Sequence, residues 1–276
     1  MKSQDILLLF KLVVLNLKEK KFDNMADEEL AFELFSLEHE PVSFLDGGWR
    51  DWDLDLPSEE ETLDKNVAFT MKDEGLRWKW ERDLRKGLSL GERKALSQYA
   101  TEIHQIRRFE NGEKWWIHGE YSVRSLETST GISRTQVSVS LSRCYQSGLA
   151  YPDIVFNVPR VNMTALYEFV VYGLRYVFPA ERGQITRGIS TASAAPVLAD
   201  SILSGGELPF VWPDVRGRTK GVSLEPIYKT VPKAVRQDEH LYALLALVDS
   251  IRIGQARERT AAIKLLKEKM ELEYDR

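Results

Sequence analysis

The stretch that most restricts how this 276-residue chain can fold is Tyr121–Tyr151, where two segments of helical spacing are separated only by Gly131, Ile132 and Ser133. The first predicted helix, Val123–Thr130, turns Val123 and Leu126 inward. Gly131 falls where the tight turn needs a positive φ, which a residue without a Cβ adopts at no steric cost. Ile132 supplies an apolar plug for the angle between the helices. Ser133 is a favoured N-cap, and Gln136, three residues on, completes a Ser-x-x-Gln capping box. A second helix is therefore predicted over Arg134–Gln146, ending before Gly148.

On that second helix Val137, Leu141 and Cys144 or Tyr145 share the face that packs inward. The opposite face carries Thr135, Ser138, Val139, Ser142 and Gln146, flanked by Gln136 and Arg143, without a carboxylate. A helix that enters the major groove needs small residues for close approach, Gln and Arg for base edges, and Ser and Thr for phosphates. The alternative is a solvated face in an unrelated all-α core, although such faces usually mix both charge signs.

This block, SVRSLETSTGISRTQVSVSLSRCYQSGL, resembles the winged helix-turn-helix of MarR-type bacterial regulators in its helix, Gly-Ile-Ser turn, second helix and Gly-Leu exit. The resemblance implies a β-hairpin wing, which Ala150–Val161 would supply with Asn157, Pro159 and Arg160 near its tip. It also implies a DNA-reading role for the second helix, with Arg134, Thr135, Gln136, Ser138 and Val139 nearest the bases and Ser142 and Arg143 toward the backbone. The N-terminal MKSQDILLLFKLVVL is similar to the first helix of such domains. On that reading residues 1–20 and 119–162 form one winged helix-turn-helix domain, and residues 21–118 are an insertion that departs from the family pattern.

The insertion is strongly polarised. Asp23–Asp64 holds fifteen Asp and Glu against Arg50. From Arg77 to Arg108 the sign reverses, with Arg82, Arg85, Lys86, Arg93, Lys94, Arg107 and Arg108. The formal net charge of −4 argues against nucleic-acid binding only if charge is evenly spread, and here it is not. The insertion is read either as a solvated excursion or as a module for dimerisation, partner docking or competition with DNA phosphates.

The apolar run Ile6–Leu17 is shorter than the ~20 residues a membrane span needs and is broken by Lys11. It reads as a buried core helix, with no membrane association. Cys144 is the chain's one cysteine, so no intramolecular disulfide can form and a reducing, cytoplasmic location is expected.

Residues 163–276 are expected to form a C-terminal helical domain for partner binding or dimerisation. Thr164–Phe178 is an apolar helix stopped by Pro179. Two further helices are predicted, Glu239–Ile253 and Ala256–Glu273, and the leucines of the first serve either a dimer interface or the core. The run PFVWPDVRGRTKGVSLEP suggests a small β-hairpin with Arg216-Gly217-Arg218 at its tip, where Arg216 and Arg218 either enter a minor groove or clasp phosphates, form a solvated turn, or meet an acidic partner. No P-loop, GxGxxG, HExxH or GxSxG occurs, and His39, His104, His118 and His240 lack metal-ligand spacing. The expectation is a mainly α, α+β protein that is not an enzyme and needs no cofactor. It would act as a homodimeric repressor on double-stranded DNA, or alternatively as an antitoxin-like protein that holds a partner through its C-terminal half.

Overall fold

The apolar run at the start of the chain becomes α1 (Ser3–Asp23), in which every side chain from Gln4 to Leu15 is buried. A helix without a solvated side belongs inside a core. The structure is a computed structural model that describes residues 1–23, 119–153, 156–199, 201 and 208–272. Met1–Lys20 and all described residues from 119 onward belong to one compact unit. The expectations for residues 24–118, including the acidic and basic segments, lie outside the described residues. Among the described residues no helix is long and apolar enough to cross a membrane.

Helices α2 (Val123–Thr130) and α3 (Arg134–Gln146) form where the spacing predicted them. Ser122 caps α2 by accepting from the Ser125 amide, and Gly131 closes it at φ +70°. The angle between the helices is filled by Ile132, which is fully buried with Leu126, Val137 and Cys144. The expected capping box does not form. Ser133 stands at the N-cap without a side-chain hydrogen bond, and the Gln136 side chain turns to Gln4, accepting from its Nε2 at 2.9 Å. The inward face is also rotated slightly from expectation: Ser140 is fully buried, whereas Leu141, Tyr145 and Val123 are half-buried. A buried serine is tolerated because Gln4, Asp5 and Arg143 give it hydrogen-bond partners.

After α3 the chain makes a short antiparallel hairpin, β1 (Ala150–Pro152) with β2 (Pro159–Val161), in the register Ala150↔Val161 and Tyr151↔Arg160. A longer helix follows, α4. It begins as Met163–Glu168, widens to a π-helical turn over Phe169–Gly173 and closes as Leu174–Val177. The Phe169 ring would lie 3.2 Å from a Cβ on Gly173, a tight contact that a glycine in the widened turn avoids. Leu166, Val170 and Leu174 face the core.

The Gly- and Pro-rich segment forms a small closed barrel of three strands, β3 (Arg182–Thr191), β4 (Phe210–Pro213) and β5 (Thr219–Leu224). Strand β3 is long enough to pair antiparallel with β5 through its first half and with β4 through its second. Strands β4 and β5 therefore run parallel to one another, so the expected hairpin with Arg216-Gly217-Arg218 at its tip is not made. Gly188 sits at the crossing, where a Cβ would run into the Trp212 carbonyl.

Helices α5 (Val231–Val235), α6 (Glu239–Ile253) and α7 (Ala256–Lys269) complete the unit. Residues Leu241–Arg252 of α6 are all buried, which places the α6 leucines in the core of the molecule rather than on a surface. Asp249 joins this helix to the barrel. Its carboxylate accepts from Trp212 Nε1 at 2.6 Å, from Thr191 Oγ1 at 3.0 Å and from Arg252 Nη1 at 2.6 Å. The remaining Arg252 nitrogens donate to the Phe178 and Pro179 carbonyls, so a buried charge pair is fully hydrogen-bonded. The architecture is mixed helix and strand, predominantly helical with small sheets.

Candidate nucleic-acid interface

The outward face of α3 is open. Arg134, Thr135, Ser138, Val139, Ser142 and Gln146 are all exposed and follow one another along one side of the helix. Val139, 43% exposed, is the largest apolar group there. Small hydroxyl and methyl side chains leave the helix narrow on this side, as a groove-entering helix requires. The face carries no carboxylate of its own, but Glu127 of α2 reaches the start of the helix. Its Oε2 accepts from Arg134 Nε at 2.6 Å, and that charge-assisted bond holds the half-buried Glu127 carboxyl below its ordinary value.

The cations expected at the interface divide into two groups. Arg143 does not turn toward the outer face. It donates from Nε and Nη2 to the two oxygens of buried Asp5, at 2.9 and 2.5 Å, and from Nη2 to Ser140 Oγ at 3.0 Å. Burial alone would raise the Asp5 carboxyl. Hydrogen bonds from Arg143, the Lys2 amide and Ser140 outweigh it, and the carboxyl sits below its ordinary value. Arg160 likewise leaves the expected wing tip. Its guanidinium forks onto Glu19, donates to Asp153 Oδ2 at 3.0 Å and lies near the Tyr121 ring. The bond to Glu19 raises Arg160 well above its ordinary range. Both arginines are held by α1, whose buried acids sequence spacing cannot pair with residues more than a hundred positions away.

Arg134 remains exposed at the first turn of α3. Arg218 is exposed, whereas Arg216 is half-buried in the β4–β5 connection, with its amide bonded to Asp214 Oδ1 at 2.8 Å. That connection is held from the other side by Arg236, which donates to both Asp214 oxygens at 2.9 Å.

The turn between α2 and α3 is buttressed from the C-terminal half. Thr230 Oγ1 donates to the Thr130 carbonyl at 2.6 Å, and its Cβ would lie 3.1 Å from a Cβ on Gly131. Cys144, fully buried behind α3, has its thiol pushed up to about 12 by burial, with Asp5 adding to the shift. At neutral pH it is a packed apolar group rather than a nucleophile.

Comparison of the chain with models of known families, with curated proteins and with solved structures gives no match. The functional reading therefore rests on the geometry of this unit. Sequence reasoning had missed Gln4, Asp5, Ser140, Glu19 and Glu127, which set where the interface side chains point. The available signal was the set of polar residues breaking an otherwise apolar α1, since a buried polar group must find a partner.

Among the described residues no group of three His, Cys, Asp or Glu side chains gathers in metal-binding geometry. The other feature of the surface is on α4, where Tyr172 and Tyr176, one turn apart, are 72% and 76% exposed and followed by exposed Val177.

Proposed function

We propose that this chain is a sequence-specific, DNA-binding transcriptional regulator that acts as a repressor in the cytoplasm, with α2, α3 and the β1–β2 hairpin working as a winged helix-turn-helix. The observation that carries the reading is the outward face of α3, which is exposed, narrow and free of carboxylates along Arg134, Thr135, Ser138, Val139, Ser142 and Gln146. In this reading Arg134 and Gln136 reach base edges, Thr135 and Ser138 lie close to bases or phosphates, and Ser142 faces the backbone. Arg143 and Arg160 act indirectly, by fixing α3 and the hairpin to α1. Such regulators commonly bind palindromic sites as dimers, and a second copy would have to meet a surface other than the buried face of α6.

The decisive experiment is fluorescence anisotropy on the DNA upstream of the protein's own coding region, across a salt series, with scrambled DNA as control. Selective binding whose log affinity falls linearly with log salt supports the reading and counts the phosphates neutralised. Equal, weak binding to both DNAs removes it.

A second reading, an antitoxin-like protein that holds a protein partner, is favoured by the Tyr172–Tyr176 stripe. Exposed tyrosines one turn apart on a helix are typical anchors of a protein interface. Loss of a co-purifying partner in a Tyr172→Ser, Tyr176→Ser double variant, with DNA binding absent in both proteins, would favour this second reading.

A further inference from the structure

Gln136 stands at the edge of the exposed α3 face, next to the N-terminus of α1, and its amide is not free to choose which end it shows. The constraint begins at the Asp5–Arg143 pair. Arg143 can only donate, and its Nη2 donates to Ser140 Oγ at 3.0 Å. Ser140 also helps to hold the Asp5 carboxyl below its ordinary value, and an ionised carboxylate can only accept, so the hydroxyl proton is drawn to that side. Ser140 therefore meets its third neighbour, Gln4, as an acceptor. The Gln4 atom 3.0 Å from Ser140 Oγ must be the amide nitrogen. That same nitrogen lies 2.9 Å from Gln136, so the Gln136 atom facing it must be the oxygen, Oε1. The Gln136 NH2 group is left pointing away from α1.

Asp5 and Ser140 are fully buried, and Gln4 is 8% exposed. Water therefore competes weakly at the buried Gln4–Ser140 bond and more at the part-buried bond to exposed Gln136, where reversing one amide still brings like groups together. The polarity set by a charge pair is thus transmitted through two neutral side chains to a residue on the outer face.

Resting on the DNA-binding reading above, we propose that Gln136 selects a base presenting hydrogen-bond acceptors in the major groove, guanine ahead of adenine, and that Gln4 is the positioning residue that imposes this choice. Guanine offers adjacent N7 and O6 acceptors to an outward NH2 group. Adenine offers N7 beside an N6 donor, and cytosine presents an N4 donor. An unconstrained glutamine would pair with adenine through both ends of its amide, so the inference departs from what residue type alone implies.

The test is selection of bound duplexes from a randomised library, with the full-length wild-type chain, Gln136→Glu and Gln4→Leu. Gln136→Glu keeps an acceptor toward Gln4 and replaces the outward donor by an acceptor, so it changes polarity with little change in shape. The expected result is a wild-type motif with one position held to guanine by about tenfold. In Gln136→Glu that position shifts to cytosine, and in Gln4→Leu it relaxes while the rest of the motif is kept. A wild-type motif that Gln136→Glu leaves unchanged shows that Gln136 presents no donor to a base and overturns the proposal alone. A motif whose position responds to Gln136→Glu but not to a folded Gln4→Leu overturns the role of Gln4. Should wild type enrich no motif, the DNA-binding reading itself fails and takes this proposal with it.

Discussion

Thr230 donates its hydroxyl to the carbonyl of Thr130 at 2.6 Å, so that α5's N-cap residue closes the turn between α2 and α3 from outside. The same side chain packs over Gly131, whose φ of +70° already excludes most residues. Position 131 is thus restricted twice, by backbone conformation and by the Thr230 methyl at 3.2 Å from an added Cβ.

Gly131→Ala is therefore expected to destabilise the protein by about 1–3 kcal/mol through the positive φ alone, with a further cost from the contact. In a Thr230→Ser background, which keeps the hydroxyl and removes the methyl, the penalty should shrink without vanishing. Urea unfolding of the four proteins in the cycle measures both parts. An unchanged penalty in the Ser background would show that the Thr230 methyl does not crowd the turn.

Lys11 and Asp238 form a buried ion pair at 2.7 Å, which ties the middle of α1 to the N-cap of α6. Burial alone would raise the Asp238 carboxyl, but Lys11, the Leu241 amide and more distant Lys18 outweigh it and hold it below its ordinary value. The sign of the pH dependence follows. A depressed carboxyl contributes stability above its unfolded pKa, and that contribution is lost as pH falls through the folded one. In Lys11→Met the burial cost is no longer offset, so the carboxyl rises and the proton is favoured in the folded state. The variant should lose about 3–5 kcal/mol at pH 7 and recover much of that deficit near pH 4, where Asp238 takes up its proton. Urea midpoints for both proteins at the two pH values decide the matter. A deficit independent of pH would assign the loss to packing of the lysine stem.

Cys144 gives a probe of the α3 core. Its thiol is fully buried, and burial pushes its ionisation up to about 12, so the same burial suppresses its reaction both by blocking access and by keeping the thiol protonated. At pH 8 the native protein should react with an aromatic disulfide reagent at least ~100-fold more slowly than the same chain in urea. Rapid labelling under native conditions would mean that α3 opens locally far more often than its buried contacts allow.

The bounds of α2 and α3 were legible because their determinants are local, helical spacing and a glycine at positive φ, whereas the capping box and the exact inward face were not. Helix α6 was legible from its apolar run, Glu239–Ile253, which the structure forms with those bounds. The barrel was not. Whether Phe210–Pro213 and Thr219–Leu224 pair with each other or with the long strand Arg182–Thr191 depends on contacts across the chain, which a short stretch rich in Gly and Pro does not encode. The misplacement of Arg143 and Arg160 has the same origin. Each looks like a surface cation in its own helix or hairpin, and Asp5 and Glu19 on α1 turn it inward, with Asp153 adding to the hold on Arg160.

That division between cations makes the DNA reading separable from effects on folding. Arg134 is exposed and paired with Glu127, so its loss should leave the unfolding midpoint nearly unchanged. Arg134→Ala should weaken DNA binding, and if the side chain meets a phosphate the salt slope should fall by about one. Glu127→Gln removes the neighbouring negative charge and releases the guanidinium, so affinity should rise by about twofold to fivefold at low salt, and less at high salt. Arg143→Ala should do the reverse of Arg134→Ala. It leaves the Asp5 carboxylate buried without its cation, so stability falls while the salt slope of the protein that remains folded is kept. Anisotropy across a salt series, paired with urea unfolding for each variant, separates these outcomes. A salt slope reduced in Arg143→Ala and unchanged in Arg134→Ala would require Arg143 to leave Asp5 on binding, and would move the interface to the opposite edge of α3.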